Sequence, residues 1–371
     1  EGAEILDLSN KFVMPGLIDC HVHINLDGNS MLQKFLNENS IGDITIACIQ
    51  NAQANLFAGF TTIRDEGAAH FTDVAVKQAI ENGKIVGPRM FVSGMPITAT
   101  GGHCDAHMPY HAKGERLGIV CDSPDAVRAA VRLNLKHGAD QVKIMATGGV
   151  MSFGDDPKYS ELSYEEMRMA VETAQARGKI TSAHAHGSDG IMLAARAGVT
   201  SIEHGTLMDE ACIEQMEKAG TYLIPTMIAA KLLSDDQSGL PQWMVEKAKA
   251  VASLHRRNVG LCRKAGLHIG FGSDAGTNHN FHGKQTREMN CMKEVGFSPT
   301  EILIAATRTN AELMRLHEAI GTLEPGKLAD IVAYDKSPLE DLNTMHAVSF
   351  VMKDGEVVKR EEQSAMMLHG E

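Results

Sequence analysis

The chain has 371 residues, 43% hydrophobic and 22% charged, with a formal net charge of −12. This is ordinary globular composition, enough for one large domain or two smaller ones. The acidic balance argues against a nucleic-acid surface, and no apolar run reaches the roughly 18 residues that a membrane-crossing helix needs.

In chain order, the front (residues 1–14) reads as short β segments. Strand-like runs follow at Phe12–Ile24, Phe60–Asp65, Met90–Ile97, Gln141–Ala146, Ile180–His184, Thr200–Glu203, Tyr222–Thr226 and His268–Ser273. They are rich in Val, Ile and Thr, or end in Gly, as buried strands do. Helical patterns lie between them. "SPDAVRAAVRLNLKHG" offers Ser123 as N-cap, Pro124 at the first helical position and Gly138 as the stop. "SYEEMRMAVETAQARG" is a capping box of Ser163 and Glu166 ending at Gly178, and "DEACIEQMEKAG" repeats the logic. Eight strands alternating with helices predict an α/β fold, a (β/α)8 TIM barrel over residues 15–319. The back, 320–360, returns to β segments, with "KDG" at Lys353–Gly355 as a hairpin turn. Residues 1–14 and 320–360 are expected to form one small β-sandwich domain beside the barrel, and 361–371 a frayed tail.

The seven cysteines are scattered and form no C-x-x-C pair. Free thiols fit a reducing, cytoplasmic setting, and no secretory signal is visible.

In such a barrel, functional side chains sit at the C-terminal ends of strands. Five of the eight ends present a metal donor or a lysine: His21 and His23 in "LIDCHVHINL", Lys143 in "QVKIMATGG", His184 and His186 in "SAHAHG", His204 in "SIEHG", and Asp274 in "GFGSDAG". His21 and His23 are two apart, so on a strand they face one way. Taken singly, each has a plainer reading. The histidine pair could share a solvated or core face, Lys143 could snorkel at the surface, and Asp274 could be a turn or N-cap residue. Their joint occurrence at strand ends favours a metal centre.

This set resembles the amidohydrolase superfamily, in its two-metal, carbamylated-lysine type. "VMPGLIDCHVHI" is similar to its opening strand, "VKIMATGGV" to its lysine motif, "AHAHG", "IEHGT" and "FGSDAG" to its strands five, six and eight, and "GKLADIVAYD" to its C-terminal sandwich strand. Members usually carry more sandwich strands before the "MPG" than this front piece offers. The resemblance implies two divalent ions, expected to be zinc. His21, His23 and Asp274 would hold one and His184 and His204 the other, with a CO2-derived carbamate on Lys143 bridging them. A bridging hydroxide would attack the scissile amide, with Asp274 as base and then acid. His103, in "TGGHCDAH", would polarise the carbonyl, and His186 would contact the substrate carboxylate. His107, His111, His279 and His282 are read as polar loop residues, and Gly148–Gly149 as a turn for close packing.

The nearest branch comprises Xaa-Arg/Lys or Xaa-Pro dipeptidases, carboxypeptidase-like enzymes and imidazolonepropionase relatives. The expected activity is therefore amide hydrolysis of a dipeptide or N-acyl amino acid, with release of a C-terminal residue such as Arg or Lys. A cyclic-amide hydrolase or a deaminase on the same scaffold is an alternative, and a non-catalytic metal-binding protein or a plain structural protein is another of different class. A small-molecule or dipeptide substrate and a homo-oligomer are expected, with no nucleic acid and no membrane.

Overall fold

The computed structural model describes residues 5–29, 31–106, 111 and 114–360; His107 and the tail 361–371 lie outside them. The run Phe12–Ile24 is two strands rather than one. β1 (Phe12–Pro15) and β2 (Leu17–Val22) part at Gly16 and join different sheets. Then come α1 (Leu32–Glu38), α2 (Ile41–Phe57), β3 (Phe60–Asp65), α3 (Thr72–Glu81), β4 (Arg89–Val92), the short β5 (Ile97–Thr98) and β6 (Ile119–Val120), α4 (Pro124–His137), β7 (Gln141–Met145) and α5 (Tyr164–Gln175). β8 (Ile180–Gly187), α6 (Ser188–Ala197), β9 (Ser201–Leu207), α7 (Glu210–Ala219), β10 (Tyr222–Ile224), α8 (Met227–Leu233) and α9 (Gln242–Ala265) continue the alternation. β11 (Ile331–Tyr334), β12 (Phe350–Lys353) and β13 (Glu356–Arg360) follow near the end.

The helix starts follow from their caps. Ser123 accepts from the Ala126 amide with Pro124 at the first position, and Gly138, at φ 108°, closes α4. Ser163 and Glu166 form the reciprocal capping box of α5, and Asp209 caps α7 through the Cys212 amide. Each such cap is worth about 1 kcal/mol. α5 stops at Gln175, short of Gly178, because the Arg177 and Gly178 amides turn back onto the Ala174 and Gln175 carbonyls.

Two parallel sheets carry the site. One runs β2-β3-β4, the other β10-β9-β8-β7-β5-β6. The run His268–Ser273 forms no regular strand. It makes isolated bridges, yet its backbone bonds to both sheets: Leu223 N to His268 O (2.9 Å) and Gly270 N to Leu223 O (3.0 Å) on the β10 side, Cys20 N to Phe271 O (3.0 Å) and Asp274 N to His21 O (2.7 Å) on the β2 side. Buried Asn310 clamps this junction, donating to the Ile18 and Phe271 carbonyls and accepting from the Phe271 amide. At the other flank, Asp140 N bonds to Val92 O (2.7 Å), tying β4 to the start of β7.

Both chain ends meet in one antiparallel sheet, β1-β11-β12-β13. The "KDG" hairpin is present, with Asp354 and Gly355 both left-handed (φ 52° and 83°), as the twist of a tight hairpin demands. The second, facing sheet that a sandwich needs is not among the described residues. No helix among them is long and apolar enough to cross a membrane.

Candidate active site

His21 lies near the end of β2 and His23 just after it, Lys143 lies within β7, His184 and His186 in the second half of β8, His204 within β9 and Asp274 in the segment that bridges β10 and β2; together with His103 they line one cavity. The strand alternation puts His21 with His23, and His184 with His186, on one face. Ring centroids of His21 and His204 lie 5.0 Å apart, and those of His184 and His204 4.7 Å. Asp274 Oδ1 is 3.5 Å from Nε2 of both His21 and His23. Gly272 makes this approach possible: a Cβ there would fall 2.3 Å from Ile224 Cγ2 and 2.9 Å from His21 Cβ. His204 and Asp274 hold left-handed backbones (φ 70° and 60°), strain that side chains of this kind adopt at functional sites.

The nitrogens left facing the cavity follow from the partners of the others. His21 Nδ1 lies 2.7 Å from the Glu203 carboxylate and His23 Nδ1 lies 3.1 Å from Gly67 O, so each Nδ1 carries the proton and each Nε2 keeps a lone pair. His184 is reversed: its Nε2 faces Gly148 O at 3.3 Å, leaving Nδ1 free. Burial, aided by Lys143, holds His21 well below the ordinary histidine value, and burial holds His23 at about 4. Burial also lowers His184 and His204 strongly, with neighbouring histidines adding to it. Neutral imidazoles are what a metal ion requires. Burial pushes Asp274 up to about 8 against the pull of Lys143.

The donor set fits divalent ions. Donor atoms of His21, His204 and Asp274 lie within 4.8 Å of one another, as do those of His184, His186 and His204. His21 Nε2 and Asp274 Oδ1 are buried without a hydrogen-bond partner.

A buried ionic layer beneath the cavity escaped the sequence reading. Arg64, fully buried, donates to Cys20 O (2.6 Å), Ser201 Oγ (2.9 Å) and Glu203 Oε1 (2.8 Å), and pairs with Glu66 Oε1 at 2.9 Å. Glu66 Oε2 in turn meets Lys143 Nζ at 2.9 Å and accepts from Ser182 Oγ. Burial alone would raise Glu66, but Arg64 and Lys143 outweigh it and hold the carboxyl below its usual range. The layer thus fixes Lys143 directly and His21 through Glu203. The signal was present in "TTIRDEG", since charges inside a buried strand must be paired. His282, read as a polar loop residue, instead sits with Nε2 3.2 Å from the carbonyls of His23 and Leu26, supporting that turn.

His103 stacks on His184 with ring centroids 4.3 Å apart. Its Nδ1 is 2.6 Å from Ser152 Oγ, which donates to Asp155 Oδ2. Lys247 of α9 anchors this loop, donating to Asp155 Oδ1 and to the Gly149 and Ser152 carbonyls. Gly149 makes room: a Cβ there would fall 2.0 Å from the His103 ring. His186 Nδ1 lies 2.7 Å from Thr206 Oγ1. Asp274 is the one carboxylate among the described lining residues, and it is engaged with His21 and His23 at the floor.

Comparison with known proteins places this geometry in context. The amidohydrolase family profile matches residues 12–358. Ochratoxinase of Aspergillus niger is 33% identical over 374 residues, covering 94% of this chain and 75% of that one. Imidazolonepropionase of Brevibacillus brevis is 25% identical over 391 residues, covering 98% and 84%. The crystal structure of a Xaa-Pro dipeptidase with methionine bound in its active site superposes with a TM-score of 0.88 at 34% identity, covering 95% of this chain and 88% of that one.

Proposed function

The chain belongs to the amidohydrolase family, and we propose that it hydrolyses the amide bond of a dipeptide or N-acyl amino acid and releases the C-terminal residue. The family and its hydrolase relatives make it a hydrolytic enzyme of amide bonds. The dipeptide reading draws on the likeness to a Xaa-Pro dipeptidase. The two parallel sheets are read as arcs of one (β/α)8 barrel, joined through the 267–275 segment on one side and Asp140 on the other.

The observation that carries the reading is the unpartnered pair His21 Nε2 and Asp274 Oδ1. His21, His23 and Asp274 would hold one divalent ion, His184 and His204 a second, zinc being well suited to this donor set. Lys143 would join both after its neutral amine adds to CO2 and loses a proton, giving a carbamate anion. Bound ions of this kind lower the pKa of water and polarise a carbonyl. Asp274 accepts the proton of the attacking water and delivers it to the leaving nitrogen. His103, held through Ser152, aims its Nε2 side at the scissile carbonyl, and His186 takes the substrate carboxylate.

The test is elemental analysis of the purified chain, then assay of a dipeptide library with the metal-loaded protein. Bound divalent metal, its loss in Lys143→Ala and turnover of dipeptides are expected. Wild-type metal content in Lys143→Ala would refute the lysine role, and turnover confined to cyclic amides or aminopurines would replace the substrate class.

A further inference from the structure

Which residue is released depends on the cavity wall, and selection at that wall rests on the amide-hydrolase reading. Beside the histidines, Thr206, Thr226 and Thr277, the cavity lining has an apolar stretch. Ala229, Ala230 and Leu233 of α8 line it together with Val150 and Met151 of the loop after β7. These are not scattered contacts. Val150 and Leu233 belong to one buried apolar cluster with Met244, Ala248 and Val251 of α9. The wall is therefore the edge of a small core, and the side chains behind it offer a charge no partner.

Among the described residues Asp274 is the one carboxylate that lines the cavity; Glu161, one of whose oxygens is buried without a partner, lines the neighbouring pocket instead. Asp274 lies against His21 and His23. Glu66 and Glu203 lie under the floor, paired with Arg64, Lys143 and His21. Asp155 is taken by Ser152 and Lys247. The net charge of −12 is spread over the chain and is screened within about 10 Å in salt, so it does not substitute for a carboxylate in the wall. An ammonium or guanidinium pressed against this surface would shed its water without replacement. An aliphatic or aromatic side chain gains in proportion to the apolar area it covers.

We propose that the enzyme selects an apolar released residue, of the Leu, Met or Phe class, whose side chain lies between Leu233 of α8 and Val150 of the loop after β7. The loop's position is set by Lys247, so the two halves of the subsite are joined through α9.

The experiment compares kcat/KM of the metal-loaded protein on Gly-Leu, Gly-Met and Gly-Phe against Gly-Arg, Gly-Lys and Gly-Glu. The apolar set is expected to lead by about tenfold or more, the discrimination that one or two buried methylenes already supply. Leu233→Glu is expected to reduce that lead and favour Gly-Arg and Gly-Lys. Because Leu233 and Val150 are both buried, Met151→Asp, at a half-buried lining residue of the same loop, is the second variant, with the same expected direction. Equal or better turnover of Gly-Arg or Gly-Lys by the wild type overturns the inference while leaving amide hydrolysis intact. Failure to cleave any dipeptide or N-acyl amino acid overturns the amide-hydrolase reading itself, and this inference with it.

Discussion

His21 Nε2 and Asp274 Oδ1 lie 3.5 Å apart, both buried, and neither has a hydrogen-bond partner within the protein. A buried polar atom left unsatisfied costs about 1–3 kcal/mol. Here two converge, and His23 Nε2 stands 3.5 Å from the same oxygen. Packing alone gives no reason to keep that arrangement, whereas a shared cation does.

Asp274→Asn tests the base. The amide fills the same space but cannot take a proton, so kcat should fall by about 10²–10⁴-fold, with the circular dichroism spectrum unchanged. Steady-state kinetics on a dipeptide measure it, and an active variant would contradict the assignment.

Ser152→Ala tests the support of His103. It removes the hydroxyl 2.6 Å from His103 Nδ1 without touching a proposed metal ligand. Turnover should drop by about 10–100-fold, as for other groups that orient a working imidazole, with metal content unchanged. Gly149→Ala should be worse, since its Cβ would collide with the ring. Loss of metal in Ser152→Ala would mean the contact is structural.

Arg64→Met tests the ionic layer. It leaves Glu66 and Glu203 buried beside a missing counter-ion, and should lower stability by about 3–5 kcal/mol in denaturant titration. Arg64→Lys should recover part of this, because it restores charge but not the planar fork. A silent Arg64→Met would show that the layer is not fixed by this side chain.

How much of the fold and site is legible in the sequence follows from where each signal lies. The histidines, Lys143 and Asp274 stand out because a donor before a glycine at a strand end is a local pattern. Arg64, Glu66 and Glu203 look like ordinary strand charges, since their pairing spans 139 positions between Arg64 and Glu203. The break at Gly16 is hidden because Phe12–Ile24 is continuous in hydropathy, and only the partner strands divide it. The segment 267–275 has the hydropathy of a strand, but makes isolated bridges to β10 and β2. The apolar wall is invisible in the sequence because Val150, Leu233 and Met244 come from a loop and two helices.

His255 gives a pH prediction. It is 1% exposed, and burial lowers its imidazole to about 4 from 6.5. The unfolded chain therefore takes up a proton first as pH falls. Its contribution to stability is complete above 6.5 and is lost on acidification toward 4. Other buried histidines act in the same direction. Asp19, raised to about 7 by burial, and Asp274 oppose them, since folded-state protonation favours the acidic side. Comparing slopes isolates the one residue. In the metal-free protein, His255→Gln should lose about 2–3 kcal/mol less than wild type between pH 6.5 and 4.5, at about 1.4 kcal/mol per pKa unit. Parallel slopes by urea titration would contradict it.

The central claim is that the histidine, lysine and aspartate cluster holds divalent ions that hydrolyse an amide. Its most direct measurement is dipeptide turnover by the purified chain before chelation, after chelation, and after zinc or manganese is returned. The account predicts activity that disappears with the metal and comes back with it, tracking metal bound per chain. A folded chain that binds no divalent metal, or that hydrolyses the same dipeptide equally well without it, would contradict the account.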